Sequence, residues 1–226
     1  MWPYGTGTES ADRPWVEAVT QRFETGVRAL DRKLDGGIPA GSLVTLLAEP
    51  ASQAELFLSE FVARQATVYL SGEQAPTTVT SALRSQRGAY DELAVSQLDR
   101  EAPVSDALAH VEDLTAESLL VVDPVEPIER ADAGEFRAFL ETLQARLAQT
   151  DSVAVLYALK HDATPSQRHR TEYTSDIVFD LETTRGEDAI ENRLFVPKFR
   201  GGRALTEPIC LDLTDRINVD TSRDIA

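Results

Sequence analysis

The densest group of basic side chains in the sequence surrounds a glycine pair, Gly201–Gly202. This basic cluster comprises Lys198, Arg200 and Arg203. Cations so close together can hold an anion such as a phosphate group. They also suit a solvent-exposed hairpin whose charges pair with Glu191 and Glu207. The residues alone leave both interpretations open.

A polar stretch, residues 161–174, carries four further side chains that can be cationic: His161, Arg168, His169 and Arg170. We interpret this stretch as a long loop. The chain has 3 histidines, without the spacing of metal ligands, and we predict no metal site. It has no nucleophile elbow, cysteine–histidine pairing or dinucleotide-binding glycine pattern, so hydrolase and dehydrogenase functions have no support.

Ser52 and Glu55 have the spacing of a capping box, which begins a helix. In that motif the serine oxygen accepts a hydrogen bond from the third helical amide, and the glutamate reaches back to the serine amide. The preceding apolar run, Leu43–Ala48, predicts a buried strand, and the apolar residues that follow have helical spacing. We therefore expect a strand, a short loop, and a helix whose first N–H groups are satisfied by the protein itself.

The charge balance is strongly acidic, with 38 Asp and Glu against 22 Lys and Arg and a net charge of −16 in 226 residues. This disfavours generic electrostatic binding of nucleic acid. Only Lys33, Lys160 and Lys198 are lysines, which is typical of a salt-saturated cytoplasm, where the Debye length falls to roughly 3 Å. The 1 cysteine excludes an internal disulfide, and no apolar run approaches a membrane span. We expect a cytoplasmic protein of a halophile without a membrane partner.

The elements alternate in the order of an α/β fold. Residues 1–22 predict a loosely ordered arm, and residues 23–226 a single domain. Buried strands are expected at 43–48, 66–71, 93–98, 119–122 and 152–159, with helices between them. Shorter alternating strands follow at 177–181, 193–199 and 209–213. This pattern predicts a mostly parallel sheet flanked by helices, with a C-terminal antiparallel extension.

Four segments resemble those of KaiC-like proteins of the RecA superfamily. They are the glycine-rich lead-in at 25–44, the strand end Val68–Glu73, the run Leu119–Asp123, and the hairpin Asn192–Gly201. The resemblance runs from about Thr25 to Val219. It implies a RecA-like P-loop NTPase fold of the type found in salt-loving archaea.

In that family a phosphate-binding loop, the Walker A motif, follows the first strand and carries two glycines, a lysine and a hydroxyl residue. The corresponding residues here are Ala48, Ala51, Ser52, Gln53, Ala54 and Glu55. Ala48 and Gln53 stand at the glycine positions, Ala54 replaces the lysine, and Glu55 replaces the hydroxyl. A carboxylate about 5 Å from a phosphate costs on the order of 3 kcal/mol at an effective dielectric of 20. We expect a degenerate, self-capped site and no bound cofactor.

The resemblance also assigns roles to residues outside the loop. Asp123 matches a Mg²⁺-side aspartate and Glu73 a water-activating glutamate. Without the lysine we interpret both as vestigial, with Asp123 capping Pro124–Val125 and Glu73 exposed. The residues that match Lys198 and Arg200 reach a neighbouring subunit's phosphate in family hexamers, so these two could act in trans.

These features predict a non-catalytic, pseudo-ATPase regulatory or scaffolding protein. Its expected partner is a protein, either an intact RecA/KaiC-like relative or a second copy of itself. One alternative is a DNA-repair or recombinase accessory protein that binds DNA through residues 161–174 and the basic cluster, although the net charge does not support it. Another is an atypical ATPase that binds ATP and Mg²⁺ through Glu55 and a lysine from elsewhere.

Overall fold

The computed structural model describes residues 21–87, 90, 92–186, 189–203, 205–214 and 217–219. The arm predicted at 1–22 lies outside these residues, apart from Gln21 and Arg22. None of the helices in the described part of the chain is long and apolar enough to cross a membrane.

The described residues form these strands and helices, in chain order: β1 (Arg22–Phe23), α1 (Arg28–Lys33), β2 (Ile38–Pro39), β3 (Leu43–Ala48), α2 (Ala54–Val62), β4 (Thr67–Ser71), α3 (Pro76–Arg87), β5 (Leu93–Gln97), α4 (Pro103–Glu112), β6 (Leu119–Asp123), α5 (Glu126–Glu129), α6 (Ala133–Thr150), β7 (Val153–Leu159), α7 (Arg168–Thr174), β8 (Ile177–Arg185), β9 (Ile190–Phe199), β10 (Ile209–Leu213) and β11 (Ile217–Val219).

The main sheet has the strand order β11-β10-β9-β8-β3-β7-β6-β4-β5. The strands from β8 to β5 are mutually parallel, and β8 to β11 pair antiparallel. The mostly parallel sheet with an antiparallel extension is therefore confirmed. Since β3 lies in the middle of this order, and all of its residues are buried, the loop that follows it emerges from the middle of the sheet.

Each face of the sheet carries its own apolar cluster. One cluster packs β3, β4 and β7 against α2 and the lead-in segment. The other packs the opposite faces of β3, β6 and β7 against α4 and α6. The apolar face predicted for α6 is buried, through Phe136, Phe139, Leu140, Leu143 and Leu147. Burial on both faces explains why the central strands have continuous apolar runs rather than alternation.

The lead-in segment is fixed by local polar contacts. Asp31 Oδ1 accepts hydrogen bonds from the Thr25 amide at 2.8 Å and the Thr25 hydroxyl at 2.7 Å. Gly37 has φ 115°, and a Cβ there would lie 2.3 Å from the Phe23 carbonyl oxygen. Only glycine fits this approach. The segment therefore delivers the chain into β3 through a turn that its residue types specify.

The stretch 161–174, predicted as a loop, contains helix α7. The buried residues of α7 are Arg168 and Thr171, which lie one helical turn apart but are polar. Because a hydrophobic pattern cannot mark a helix held by buried polar groups, this stretch carries no helical signal in its sequence. The prediction of a loop there was wrong for its second half.

Candidate functional site

The loop after β3 lies at the carboxyl edge of the parallel strands. Its start is tied to the end of β7 by a hydrogen bond from the Lys160 amide to the Ala48 carbonyl, at 2.8 Å. Ala48 and Ala54 are buried, whereas Glu49, Gln53 and Glu55 are exposed. Ligands of open parallel sheets bind at this edge. The loop therefore lies at the edge of the sheet where such ligands bind.

Neither hydrogen bond of the capping box predicted for this loop is formed. Helix α2 begins at Ala54 with Gln53 as N-cap, and no side chain makes the cap hydrogen bond. The Ser52 hydroxyl accepts from the Ala54 amide at 3.3 Å, not from that of Glu55. The Ser52 amide donates to the Glu49 carbonyl at 3.0 Å, which leaves it unavailable to the Glu55 side chain. The reciprocal arm of the predicted box is thus prevented by a turn inside the loop.

Asp123, at the end of β6, is held by a phenol. The Tyr69 hydroxyl, at the middle of the neighbouring strand β4, donates a hydrogen bond to Asp123 Oδ2. The predicted cap on Pro124–Val125 is absent, because the Val125 amide donates to the Tyr157 carbonyl at 2.8 Å. The side chain that would face Mg²⁺ in a working enzyme is therefore already engaged.

Burial raises the pKa of Asp123 to about 6, and the charges of Glu55 and Glu126 add to the rise. The hydrogen bond from Tyr69 acts in the opposite direction. Burial, followed by the charge of Asp123, also raises the pKa of Tyr69 and of Tyr157. This edge of the sheet is thus a partly buried site with negative charge and phenols, which is the reverse of a phosphate cradle.

The lysine nearest to the loop along this edge is committed to another contact. Lys160 follows β7, and its ammonium group forms an ion pair with Asp180 and donates to the Leu181 carbonyl at 3.0 Å. The side chains of Lys160 and Asp180 are each 28% exposed. An atypical ATPase would have to break this pair to obtain a lysine for the phosphates.

Behind Asp123, a buried ion cluster joins α5 to α7. The Arg168 guanidinium donates to both carboxylate oxygens of Glu129 at 2.8 to 3.1 Å, to the Leu159 carbonyl at 2.8 Å, and to Glu126. Thr171 donates to Glu129 from the next turn of α7. Arg168, assigned to a DNA-contacting loop from the sequence, is therefore buried and cannot contact DNA.

The other cationic side chains of that stretch make local contacts. His161 Nδ1 accepts from the Ala163 amide at 3.1 Å, and His169 Nδ1 lies 2.7 Å from the Ser166 carbonyl oxygen. Arg170 donates to the Gln167 side chain at 3.3 Å and is half-buried. Among the described residues, no three His, Cys, Asp or Glu side chains are grouped so as to hold a metal ion.

The basic cluster lies at the opposite edge of the sheet from the loop. The Lys198 ammonium donates to the carbonyls of Glu172 and Tyr173 at 2.9 and 2.6 Å, at the end of α7. Arg200 pairs with Asp176 at 3.0 Å, and Asp176 also accepts from the Leu43 amide, at the start of β3. Burial, followed by the charge of Arg200, lowers the pKa of Lys198. Lys198 is thus engaged as a helix cap, and Arg200 keeps a half-exposed guanidinium.

Of the two interpretations left open for the basic cluster, the hairpin paired with Glu191 and Glu207 does not describe the contacts of Lys198 and Arg200. Lys198 bonds to carbonyls of α7 and Arg200 to Asp176, whereas Glu191 pairs with Arg193 at 2.8 Å. Arg203 is exposed at the turn after β9, and Glu73 is exposed after β4. The structure therefore brings Glu55 and Asp123 together, and places Glu73 and the basic cluster apart from them.

Residues that the sequence did not single out complete the site. They are Tyr69, Tyr157, Glu126 and Glu129, all of which are buried. Their signal was present but weak: the tyrosines lie within apolar strands, and the glutamates follow Asp123 in a short Pro-containing segment. Nothing in their spacing marks them as partners of Asp123 or Arg168.

A family model matches residues 22–226, nearly the whole of the described chain, and its description is "Family of unknown function (DUF7125)". The chain belongs to this family. The fold is also that of KaiC-like proteins of the RecA superfamily. The KaiC-like protein PH0186 from Pyrococcus horikoshii superposes with a TM-score of 0.71 at 17% identity, over 88% of this chain and 99% of that one.

A curated relative is the DNA repair protein RadA of Mycolicibacterium smegmatis. It is 29% identical over 186 residues, which is 74% of this chain. The chain spans 39% of the length of that protein. The resemblance to KaiC-like and RecA-type proteins drawn from the sequence is therefore confirmed.

Proposed function

We propose that this DUF7125 protein is a non-catalytic KaiC/RecA-like module that regulates or scaffolds a protein partner. The observation that carries the proposal is the Glu55 and Asp123 pair at the position of the nucleotide site, with Tyr69 bonded to Asp123. Each group that would attract phosphate or Mg²⁺ is replaced or engaged. Binding ATP there would place its negative charge against Glu55 in a partly buried site.

The test is nucleotide binding measured by calorimetry in multimolar KCl, and again at the lowest KCl at which the fold persists. We expect no heat from MgATP at about 1 mM, and no rise in melting temperature, since ligand binding to the folded state stabilises it by mass action. The repetition at lower salt excludes screening as the cause. A dissociation constant in the micromolar range would refute the proposal and favour the atypical ATPase.

The partner we propose is an intact RecA/KaiC-like relative or a second copy of this chain. Support comes from the fold, which superposes over nearly the entire length of a KaiC-like protein, and from Arg200, whose guanidinium side chain is 54% exposed. Co-purification from the native host followed by mass spectrometry identifies the partner. If neither an ATPase of this fold nor a self-complex is recovered, the result argues against this partner.

A second candidate function is an accessory role in DNA repair, favoured by the 29% identity to a protein named for that process. Helix α7 and the end of β9 converge on one face, since Lys198 bonds to α7, and Tyr173 there is 80% exposed. Exposed aromatic rings beside cations can stack on single-stranded DNA. Fluorescence anisotropy with a single-stranded oligonucleotide, for the native chain and for Arg170→Ala with Arg200→Ala, separates this candidate from the first.

A further inference from the structure

A narrow cavity lies between α2, α3, the middle of β4 and the end of β6, beside the bonded pair Tyr69 and Asp123. Its polar lining consists of Glu55, Tyr69, Gln74, Gln86 and Asp123, and its remaining walls are apolar. Its volume of about 20 Å³ accommodates one water-sized group. The cavity is therefore too small for a phosphate or a planar guanidinium, and large enough for a single small head group.

Hydrogen-bond acceptors outnumber donors in this lining. Gln86 Oε1 is buried and accepts no hydrogen bond. The Tyr69 proton is donated to Asp123, so it is not available to the cavity. Among the described residues that line it there is no lysine or arginine. A ligand that donates hydrogen bonds would satisfy the buried acceptor, which otherwise costs free energy.

The charge around the cavity is negative on more than one side. Glu55 from α2 and Glu126 from α5 both act on Asp123. Glu126 is buried, and its Oε2 also lacks a hydrogen-bond partner, although Oε1 is bonded to the Leu159 amide at 2.7 Å and to Arg168. A positive charge placed between Glu55 and Asp123 would relieve their repulsion.

We propose that the cavity receives the ammonium group of a lysine side chain presented by a protein partner. An ammonium group is water-sized and carries three donors and one positive charge, and its aliphatic stem can remain outside the cavity. Among the described residues no three His, Cys, Asp or Glu side chains are grouped so as to hold a metal ion, and an ammonium group does not need such a set of ligands.

The partner is a protein rather than a free amine because the cavity holds only the head group. The rest of the ligand lies outside it, on the surface between α2 and α3, where only a larger body can add contacts. This inference rests on the proposed loss of nucleotide binding, since a nucleotide at the same edge would compete for the space beside Asp123.

The test is a nuclear magnetic resonance titration of the ¹⁵N-labelled full chain with the peptide acetyl-Gly-Lys-Gly-amide, at the lowest KCl that preserves the fold. We expect weak binding, with the amides of Glu55, Gln86 and Asp123 shifting first. Glu55→Gln and Asp123→Asn should each weaken binding about tenfold, because each removes a charge-assisted hydrogen bond. Asparagine keeps an oxygen for the Tyr69 hydroxyl, so the fold should persist.

The matched control is Glu49→Gln, which removes an exposed carboxylate from the same loop that does not line the cavity. It should change the affinity less than about twofold. The peptide acetyl-Gly-Arg-Gly-amide has the same charge and a larger head group, and should bind about tenfold more weakly. The proposal would be overturned if the arginine peptide bound as tightly as the lysine peptide, or if Glu49→Gln weakened binding as much as Glu55→Gln and Asp123→Asn do. It would also be overturned if no amide shifted at about 50 mM lysine peptide.

The outcome is distinguishable from failure of the proposed function. Binding of MgATP in the separate calorimetric experiment would refute the non-catalytic assignment. Absence of both ATP binding and lysine-peptide binding would refute only the ammonium site and leave that assignment in place.

Discussion

The carboxylate of Asp123 accepts a hydrogen bond from Tyr69 and lies in the negative field of Glu55 and Glu126. Its pKa is raised from 3.8 to about 6, mainly by burial. The folded state therefore holds more protons than the unfolded state between those two values. By linkage, the ionised carboxylate destabilises the fold above about pH 6, and this cost disappears as the pH falls toward 4.

Asp123→Asn should therefore raise the free energy of unfolding by about 1 to 2 kcal/mol at pH 7.5 and change it little near pH 4. The substitution removes the buried charge and keeps an acceptor for Tyr69. Denaturant unfolding of both chains across pH 4 to 8 measures the difference. Glu49→Gln is the control, because Glu49 is exposed and should leave the pH profile unchanged. A constant difference between Asp123→Asn and the native chain at all pH values would contradict the raised pKa.

Helix α7 is attached to the rest of the fold by polar contacts at both of its ends. Arg168 begins it and is buried against Glu126 and Glu129, and Lys198 bonds to the carbonyls at its other end. With 7 residues the helix is too short to be stable by itself. Its position therefore depends on these contacts.

Arg168→Met should lower the free energy of unfolding by about 3 to 5 kcal/mol, since it leaves two buried carboxylates without their cation. Adding Glu126→Gln and Glu129→Gln to Arg168→Met should recover most of that loss, because no buried charge then remains. The control is Arg170→Ala on the same helix, expected within about 0.5 kcal/mol. If Arg168→Met alone were as stable as the native chain, the ion cluster would not be what holds α7.

Lys198→Met should cost about 1 kcal/mol, because methionine keeps much of the stem but loses both hydrogen bonds to α7. The matched control on the same strand is Arg193→Met, whose partner Glu191 is partly exposed, and which should cost less than about 0.5 kcal/mol. Unfolding in urea at constant KCl measures both. If Lys198→Met and Arg193→Met lowered the free energy of unfolding equally, Lys198 would be an ordinary surface charge and not a cap on α7.

On the scale of the whole molecule, the sheet separates its two candidate surfaces. The loop follows the end of β3, whereas Arg200 is linked through Asp176 to the start of that strand. The 6 residues of β3 place the two about 17 Å apart along the strand. Arg200 therefore cannot serve the loop of its own chain, and any contact with a nucleotide would be made with another subunit.

If the partner is an intact ATPase relative, adding this protein should raise the partner's ATPase rate. Arg200→Ala should abolish the stimulation, since an arginine donated in trans stabilises the charge of phosphoryl transfer. Arg200 is a better test than Lys198, whose loss would also disturb α7. Arg193→Ala is the control, and its stimulation should match that of the native chain. Full stimulation by Arg200→Ala would refute the trans role.

The fold and the location of the site followed from local sequence. Central strands such as Leu119–Asp123 have continuous apolar runs because both of their faces are buried, and the glycines at 26, 36, 37 and 41 fix turns that only that residue type adopts easily. That Ala54 and Glu55 stand where the resemblance places a lysine and a hydroxyl residue is a prediction that the sequence also allows, because a phosphate loop depends on residue type at fixed spacing.

The tertiary structure alone decided which groups meet. Tyr69 and Asp123 are 54 residues apart in the chain, and they touch because parallel strands β4 and β6 pair in one register. Arg168 is followed by His169 and Arg170, so the local sequence suggested an exposed loop. Glu126 and Glu129 nevertheless compensate the charge of Arg168 and allow its burial. Local spacing reports backbone conformation and burial, whereas the pairing of distant charges depends on how the strands and helices assemble.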